Sequence, residues 1–534
     1  MNQTYELQNF IFESNPGRQE LLNYKKNNDG NTFKVYIYRN HSFEIIEKSI
    51  SAFLDFAELN IEFAYSDYDD SLSFFELDVE ADLVIIWLDL SRYLSDVDSF
   101  IKQRLAILKN IYKRNILFCY YGYDIENDIA IADSQITLYN ISKWREKFGD
   151  KYEDLRLERF SGTKMSMPLM LTVSRDLGLN YLPSLLRPSV KCIVLDLDNT
   201  LYRGVLGEDG VDGIELTEAH KQLQKRVAEL ASNGFFVCIV SKNDQRDVDF
   251  LLRNRNDFYV NSKNIIISKA SWDAKAKAIS EIAEQLNIGI DSILFIDDNI
   301  GELLSVKQIH PSIKTILAKE DATVTLDVLN NYPGLLKRGQ TNEDSLRNID
   351  SKANEERKKI IDATTKEDFI KQMNIQLDFM IDPKNEAYRI SELSNKTNQF
   401  IFNYKRYTTA EIENIIDARE SVVVAVSVKD KLANSGIVGV LVLKNDKENQ
   451  CAKLEECFVS CRALGRGIDD IIVLGAISVG LKQLGIKVLR ASYIEGERNL
   501  PAKIFFDSKL EQYLTPSVFE YTIPNELVQI NIKD

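Results

Sequence analysis

Between Phe33 and Ile296 the chain alternates short apolar, β-branched runs with stretches of helical periodicity, and this alternation constrains the possible folds more than any other feature. Such a pattern favours parallel sheets with helices on their faces. The predicted strands fall into two sets: Phe33–Tyr38, Ile61–Tyr65, Ala81–Leu88 and Asn115–Tyr121, then Cys192–Leu197, Phe235–Val240, Ile265–Ser268 and Ile293–Ile296. We therefore expect two successive α/β sheets.

The last third of the chain has a different pattern. A strongly polar stretch over residues 337–373 predicts an exposed helical connector, and the β-branched runs after it, followed by a helix at Ile468–Leu484, predict a mixed α+β domain. A chain of 534 residues exceeds what one hydrophobic core organises. The predicted divisions are an α/β domain at 1–155, a helical linker at 156–190, a second α/β domain at 191–336, the connector at 337–373 and the α+β domain at 374–534.

The charge balance excludes some classes of partner. With 66 Lys and Arg against 81 Asp and Glu the net charge is −15, whereas nucleic acids are held by clustered basic residues. The apolar runs are too short or too interrupted to cross a bilayer, and the first residues lack the features of a signal peptide. We expect a cytoplasmic protein without nucleic-acid or membrane partners. Six scattered cysteines and three histidines predict buried free thiols and no zinc site.

Acidic residues end two of the predicted strands. In VLDLDNTLYRGVLGEDG, Asp196 and Asp198 lie two residues apart, which places both side chains on one side of an extended chain. Two adjacent carboxylates repel each other unless a cation neutralises them, and a hard divalent ion such as Mg²⁺ is the expected partner. Asp297 and Asp298 end a second short strand. Because ligands bind at the carboxyl ends of parallel strands, we predict that these four carboxylates form one site.

Two further polar residues follow in order along the chain. Ser241 ends the strand at Phe235–Val240, and Lys275 lies in the predicted helix from Trp272, with Lys277 as a rival for the same role. A strand-terminal Asp-x-Asp alone would also suit a solvated loop or a helix cap. The ordered set Asp-x-Asp-x-Thr, Ser, Lys and Asp-Asp is more specific. Such a set would suit phosphoryl transfer, because Lys275 and Mg²⁺ would supply the positive charge that the oxygens of a metaphosphate-like transition state need.

This ordered set resembles the four motifs of the HAD (haloacid dehalogenase) superfamily. The resemblance implies that Asp196 is a nucleophile that forms an aspartyl-phosphate and that Asp198 is a general acid and base. Ser241, Lys275, Thr200 and Asn243 would then bind the phosphoryl group. The implied ligands of Mg²⁺ are Asp196, Asp198, Asp297 and Asp298.

Neither connection beside the motifs is long enough for a cap domain. Sixteen residues separate Thr200 from Thr217, and one predicted helix and one predicted strand fill the stretch from Ser241 to Lys275. An open site suits a large substrate, such as a group carried on another protein, and disfavours enclosure of a small metabolite.

Longer strings extend the resemblance to the FkbH-like subgroup, HAD subfamily IIIC. They are LDLDNTLYRGVLGEDG, SKND, W-x-x-K, LNIGIDSILFIDDN, KTNQF, SCRALGRG and Asn499-x-Pro501, and they cover most of the chain. The resemblance implies an enzyme that takes a phosphorylated acyl substrate such as 1,3-bisphosphoglycerate and loads its glyceryl unit onto the phosphopantetheine thiol of an acyl carrier protein. The family often has a cysteine where this chain has Val240. Cys238 and Cys461 are the candidate acyl-bearing thiols, with a buried core thiol as the alternative.

The flanking domains carry resemblances of their own. Arg462, Gly465, Arg466 and Gly467 resemble the R-x-x-G-x-G loop of GNAT-type acyltransferases, which implies binding of coenzyme A or phosphopantetheine at a helix N-terminus. The N-terminal domain resembles SGNH hydrolases without their Gly-Asp-Ser signature. Ser42 is therefore predicted to cap a helix, with a nucleophile as the alternative, and the domain is predicted to serve in docking. The implied fold class is α/β with three domains: an N-terminal SGNH-like α/β domain, a central HAD-type Rossmann-like parallel sheet and a C-terminal GNAT-like α+β domain.

Three functions follow from these observations. The first is a magnesium-dependent enzyme that dephosphorylates a phosphorylated acyl substrate and loads the acyl group onto a carrier protein. The second is a phosphatase or phosphotransferase with accessory binding domains. The third is a non-catalytic assembly module, which would leave the charged constellation without a purpose.

Overall fold

A computed structural model of the 534-residue chain describes residues 2–27, 30–68, 72–74, 77–78, 80–93, 96–123, 135–337, 353, 357, 360–361, 364–496, 499–514 and 517–533. The chain divides into two compact units, one comprising residues 1–285 and 289–340, the other residues 286–288 and 341–534. In the described residues no helix is both long and apolar enough to span a membrane.

The first sheet is wholly parallel and has the order β2-β1-β3-β4-β5. Its strands are β1 (Thr32–Arg39), β2 (Asn60–Tyr68), β3 (Leu83–Asp89), β4 (Ile116–Tyr121) and β5 (Ile136–Asn140). The helices of this part of the chain are α1 (Asn2–Phe12), α2 (Arg18–Leu22), α3 (Glu44–Ser49), α4 (Ser51–Phe56), α5 (Val97–Ile111), α6 (Arg145–Phe148), α7 (Leu155–Ser161), α8 (Met167–Asp176) and α9 (Leu182–Leu186). Strands β3 and β4 are buried along their whole length, as is usual inside a parallel sheet.

The second sheet is also wholly parallel and has the order β10-β9-β6-β7-β8. Its strands are β6 (Cys192–Leu195), β7 (Phe236–Ser241), β8 (Ile267–Ala270), β9 (Ile293–Asp297) and β10 (Lys314–Leu317). Its helices are α10 (Leu206–Gly213), α11 (Glu218–Ser232), α12 (Gln245–Asn254), α13 (Lys275–Leu286), α14 (Ile300–Ile309) and α15 (Ala322–Asn330). From β6 the chain proceeds to β7 on one side and later returns to β9 on the other, so the order reverses between β6 and β9.

The two sheets of the first unit share packing contacts. The core around β6 includes Phe12 of α1 and Phe56 of α4, together with Ile193 of β6 itself. Polar contacts support this packing, because the Tyr5 hydroxyl lies 3.0 Å from the Thr315 hydroxyl in β10. Helix α1 thus fixes the edge of the second sheet to the first part of the chain.

The second unit contains a mixed sheet of order β15-β14-β13-β12-β11-β16, in which β11 to β14 are antiparallel neighbours. Its strands are β11 (Gln376–Ile381), β12 (Ser421–Lys429), β13 (Asn434–Asp446), β14 (Cys451–Val459), β15 (Leu489–Ala491) and β16 (Gln529–Lys533). Its helices are α16 (Lys366–Met373), α17 (Ala387–Lys396), α18 (Thr409–Asp417), α19 (Asp469–Leu484) and α20 (Leu500–Phe505). The predicted α/β fold class, with Rossmann-like parallel sheets and a mixed α+β part, is confirmed. The exact domain bounds stay a prediction.

Candidate active site

The site lies at the carboxyl ends of β6 and β9, where the order of the second sheet reverses. The two strands are paired in parallel register up to Leu195 and Ile296, and the Asp196 amide donates to the Ile296 carbonyl at 2.9 Å. Asp196 therefore follows β6 at the same edge at which Asp297 ends β9. A reversal of strand order opens a crevice at this edge, which is the usual ligand site of such sheets.

Three carboxylates meet in this crevice. One oxygen from each of Asp196, Asp297 and Asp298 lies within 4.8 Å of the others. Asp196 and Asp297 are 6% and 0% exposed, while Asp298 is partly exposed. The ammonium of Lys275, the first residue of α13, lies 2.7 Å from Asp297 Oδ2 and 3.1 Å from Asp196 Oδ2. We call these three carboxylates and this ammonium the acidic cluster.

The electrostatics of the acidic cluster favour a further cation. Burial raises the pKa of Asp196 to about 7. The positive charge of Lys275 lowers this pKa, and the negative charge of Asp297 raises it. Burial disfavours a charged Lys275, yet Asp196 and Asp297 together raise the pKa of its ammonium. Burial and the neighbouring Asp297 also raise the pKa of Asp298. One ammonium thus faces three carboxylates, and the buried Asp196 Oδ1 has no hydrogen-bond partner among the described residues. Oxygen donors of this kind fit Mg²⁺.

Asp198 is not a member of this three-carboxylate group. Its Oδ1 accepts hydrogen bonds from the Tyr202 hydroxyl at 2.6 Å and from the Leu206 amide at 2.9 Å, and its Oδ2 accepts from Asn243 Nδ2 at 2.8 Å. Burial and the adjacent Asp198 keep the pKa of Tyr202 far above its ordinary value, so the phenol remains a donor. The carboxylate is therefore held as an acceptor beside the acidic cluster. Tyr202 and Leu206 were not predicted from the sequence, although both lie in the same motif.

The predicted phosphoryl-binding residues lie at neighbouring strand ends. Ser241 ends β7, is 2% exposed and accepts a hydrogen bond from Asn243 Nδ2 at 3.0 Å, so Asn243 connects Ser241 with Asp198. Thr200 is 1% exposed, and its hydroxyl has no partner among the described residues. A phosphoryl oxygen is a suitable partner for such a buried donor.

Lys275 and Lys277 have opposite surroundings. Lys275 is buried inside the acidic cluster, whereas the Lys277 side chain is 65% exposed and pairs with Asp273 at 3.1 Å. Of the two lysines that the sequence offered for the phosphoryl-binding role, Lys275 therefore lies in the site.

The two candidate thiols differ in accessibility. Cys238 lies inside β7 with 0% exposure, and its sulfur is 3.8 Å from that of Cys192, so it has no surface from which to accept an acyl group. Cys461 is partly exposed in the turn after β14, in the second unit. The role of either thiol in acyl transfer stays a prediction.

The turn that carries Arg462, Gly465, Arg466 and Gly467 lies between β14 and α19, as the sequence predicted. Both arginines are buried: Arg466 donates to the Ser435 hydroxyl at 2.9 Å, and Arg462 contacts the Ile437 carbonyl at 3.4 Å.

The helix end beside this turn is already occupied by charged side chains. Asp469 and Asp470 form the first turn of α19, and Asp470 pairs with Lys366 at 3.2 Å. A Cβ atom at Gly467 would lie 3.2 Å from the Lys366 side chain, so that side chain covers the glycine. Two carboxylates at a helix N-terminus compete with an anionic ligand. The arrangement does not fit the pyrophosphate of coenzyme A.

Ser42 lies between β1 and α3, at the carboxyl edge of the first sheet. The prediction that Ser42 caps a helix is wrong, because Phe43 occupies the N-cap position of α3 and the Ser42 hydroxyl donates to the Glu44 carboxylate at 2.6 Å. Beside it His41 is 1% exposed, stacks on Trp87 at 5.0 Å and contacts the Thr163 hydroxyl at 3.0 Å. Burial lowers the pKa of His41 to about 3.

This histidine predicts acid sensitivity of the first unit. In the unfolded chain it takes up a proton below its ordinary pKa of about 6.5, whereas folded His41 stays neutral down to about 3. The free energy of unfolding therefore decreases as the pH falls below about 6.5, and the decrease reaches about 3 kcal/mol at about pH 4. Thermal unfolding of the wild type and of His41→Gln across this range should show a steeper decline for the wild type. Parallel declines would contradict the prediction.

No protein-family model matches this sequence, and no curated protein matches it. Among solved structures, the chain is similar to the N-terminal part of the protein BF1531 from Bacteroides fragilis, which contains a phosphatase domain complexed with Mg. The sequence identity is 20% and the TM-score is 0.45, and the match covers 63% of this chain and 99% of that chain. The chain is also similar to a mutant of spermidine N-acetyltransferase SpeG from Vibrio cholerae, with 15% identity and a TM-score of 0.18 over 22% of this chain and 69% of that chain. Likenesses this weak assign no activity.

Proposed function

We propose that this chain is a magnesium-dependent phosphoryl-transfer enzyme that works through an aspartyl-phosphate on Asp196. The observation that carries the proposal is the acidic cluster, in which Asp196, Asp297 and Asp298 converge within 4.8 Å while a buried ammonium contacts two of them. Like charges buried together are costly unless a cation offsets them. A site that holds the cation and a phosphoryl group together satisfies this requirement.

Asp196, Asp297 and Asp298 would hold Mg²⁺, with Asp198 at the side of the site. When bound, the ion supplies positive charge that offsets the carboxylates and the phosphoryl oxygens. Lys275 adds a fixed ammonium at the same place. Ser241 and Thr200 offer hydroxyl groups, at most 2% exposed, to the remaining phosphoryl oxygens. Positioning and electrostatic stabilisation of this kind are the main requirements of phosphoryl transfer.

The reaction has two steps. An Asp196 oxygen attacks phosphorus, the bond between phosphorus and the leaving oxygen breaks, and that oxygen takes a proton from Asp198, in the general-acid role that the resemblance to the HAD superfamily implies. Asp198, now a carboxylate held by Tyr202, Leu206 and Asn243, then removes a proton from a water molecule. The water oxygen attacks the phosphorus, orthophosphate leaves and the Asp196 carboxylate is restored.

Phosphate release from simple phosphorylated compounds tests this proposal. The full-length chain with acetyl phosphate or p-nitrophenyl phosphate should release orthophosphate in the presence of Mg²⁺. Removal of the ion with EDTA should lower the rate at least about a hundredfold, and added Mg²⁺ should restore it. A rate that is indifferent to EDTA, or no release from any phosphorylated probe, would count against the proposal.

A finer proposal concerns the natural substrate, a phosphorylated acyl compound of the 1,3-bisphosphoglycerate type with an acyl carrier protein as partner. It is supported by the FkbH-like strings and by the short connections around the site, which contain only α10 on one side and α12 and β8 on the other. Attack by Asp196 on an acyl phosphate would yield a free acid. Loading therefore requires the carrier thiolate to attack the acyl carbon, which forms a thioester and expels orthophosphate, while Asp196 removes the second, ester-linked phosphate.

The mass of the carrier protein distinguishes loading from plain hydrolysis. A phosphopantetheinylated carrier incubated with the chain, Mg²⁺ and 1,3-bisphosphoglycerate should gain the mass of one glyceryl group. Phosphate release without a mass change would favour a phosphatase with accessory binding domains. If neither a mass change nor phosphate release is observed, the experiment would favour an assembly module. Coenzyme A takes no part in this scheme, since the turn at residues 462–467 does not fit its pyrophosphate.

A further inference from the structure

The chain has three tryptophans, and two of them are built into the fold. Trp87 is fully buried, and its indole N–H donates to the Ser42 carbonyl at 3.2 Å. The Trp144 indole N–H donates to the Tyr139 hydroxyl at 3.2 Å. Trp272 is different: it is 77% exposed, and its indole makes no hydrogen bond or ring contact with any described residue. The fold itself therefore gives no reason for a tryptophan at this position.

Trp272 is held at the rim of the acidic cluster from both sides along the chain. One residue earlier, the Ser271 amide donates to the carbonyl of Ser241 at 3.1 Å, which fixes the loop to the end of β7. Three residues later, Lys275 begins α13 and contacts Asp196 and Asp297. Three residues, 272–274, lie between these two anchors, so the backbone of Trp272 stays close to the site.

Three further residues follow β7 and β9 at this edge of the sheet. Ile300, the first residue of α14 and the third after Asp297, is 41% exposed at the same edge of the sheet. Lys242, next to Ser241, pairs with Glu302, so these two charges offset each other. Ligand sites are usually lined by apolar and aromatic side chains around a few polar groups, so an exposed indole next to this site is available to a ligand.

We infer that Trp272 determines substrate specificity, by contacting the uncharged organic group to which the phosphoryl group is attached. This inference rests on the proposed function. The acidic cluster takes the phosphoryl group at the bottom of the crevice, so the part of the substrate beyond the leaving oxygen reaches the rim. An indole face binds an apolar or planar group there.

Kinetics with two probes of different size test the inference. Trp272→Ala should raise KM for p-nitrophenyl phosphate about tenfold, the usual effect of losing one aromatic contact, with kcat changed less than about twofold. With acetyl phosphate, whose organic part is too small to reach the rim, both constants should stay within about twofold. Trp272→Phe should restore most of the lost affinity. Equal effects on both probes, or no effect on either, would overturn the inference while leaving the proposed function intact.

Fluorescence supplies a readout that does not depend on turnover. In the wild type with Mg²⁺, phenylphosphonate, whose C–P bond is not hydrolysed, should change the tryptophan emission, and orthophosphate should not. Trp272→Phe keeps Trp87 and Trp144 and should give no response. A response in the wild type alone supports the contact even if no phosphatase activity is found. Absence of any response to phenylphosphonate overturns it whether or not the enzyme is active.

Discussion

Asp196→Asn should abolish phosphate release, with a loss of at least about a thousandfold, and should leave the fold intact. The amide has nearly the shape of the carboxylate but cannot attack phosphorus, so the covalent route is closed. The substitution also removes one of three clustered negative charges, of which Asp196 and Asp297 are buried. The midpoint of thermal unfolding without metal should therefore not fall. The increase in this midpoint on addition of Mg²⁺, expected for the wild type, should shrink or vanish.

Asp247→Asn is a suitable control for this variant. Asp247 is an exposed residue in the first turn of α12, outside the acidic cluster. Its substitution should leave both the rate and the response to Mg²⁺ unchanged. If Asp196→Asn retained more than about a tenth of the wild-type rate, Asp196 could not be the nucleophile.

Lys275→Met should have the largest effect on stability. The methionine fills a similar volume but leaves Asp196 and Asp297 buried without the ammonium that now lies 3.1 Å and 2.7 Å from them. Breaking a buried ion pair by removal of one partner costs about 3–5 kcal/mol. Since Asp196 can take up a proton, we expect the lower end, about 3 kcal/mol, in the absence of metal. Activity should be lost as well, because no fixed positive charge remains beside the phosphoryl group.

Urea unfolding with and without Mg²⁺ measures this effect. The ion should recover part of the lost stability in Lys275→Met, because it offsets the same carboxylates. Lys277→Met is the matched control: its ammonium pairs with the exposed Asp273, outside the acidic cluster, so stability and rate should be unchanged. A Lys277 variant as damaging as the Lys275 variant would contradict the assignment.

Much of the architecture is readable from the sequence. Alternating apolar runs and helical stretches identify the strands that carry the site, and the polar residues at their ends identify one edge of one sheet. The strands that were not predicted are short or lie at an edge of a sheet. Two examples are β5 and β10, which are edge strands. Helix α1 was missed as well, since it begins with the polar residues NQT and owes its position to contacts with distant residues such as Thr315.

The grouping of the four carboxylates was decided by tertiary structure. Alternation of side chains predicts that Asp196 and Asp198 share a face, but β6 ends at Leu195, and Asn199 turns the chain through a left-handed φ of 51°. The extended geometry on which the prediction depends stops before either aspartate. Asp198 consequently contacts Tyr202 and its neighbours, and the acidic cluster contains the other three of the four predicted carboxylates.

The sequence by itself determined which residue types could do chemistry and the order in which they occur, because strand and helix periodicity are local properties. Only the tertiary structure decided which of them meet. Lys275 and Lys277 look equivalent in sequence, yet two residues along a helix differ by about 200° in direction, so one enters the acidic cluster and the other faces water. The glycine-rich turn near Arg466 likewise suggested an anion site, but packing turned its arginines inward, because buried donors bind the nearest buried acceptors.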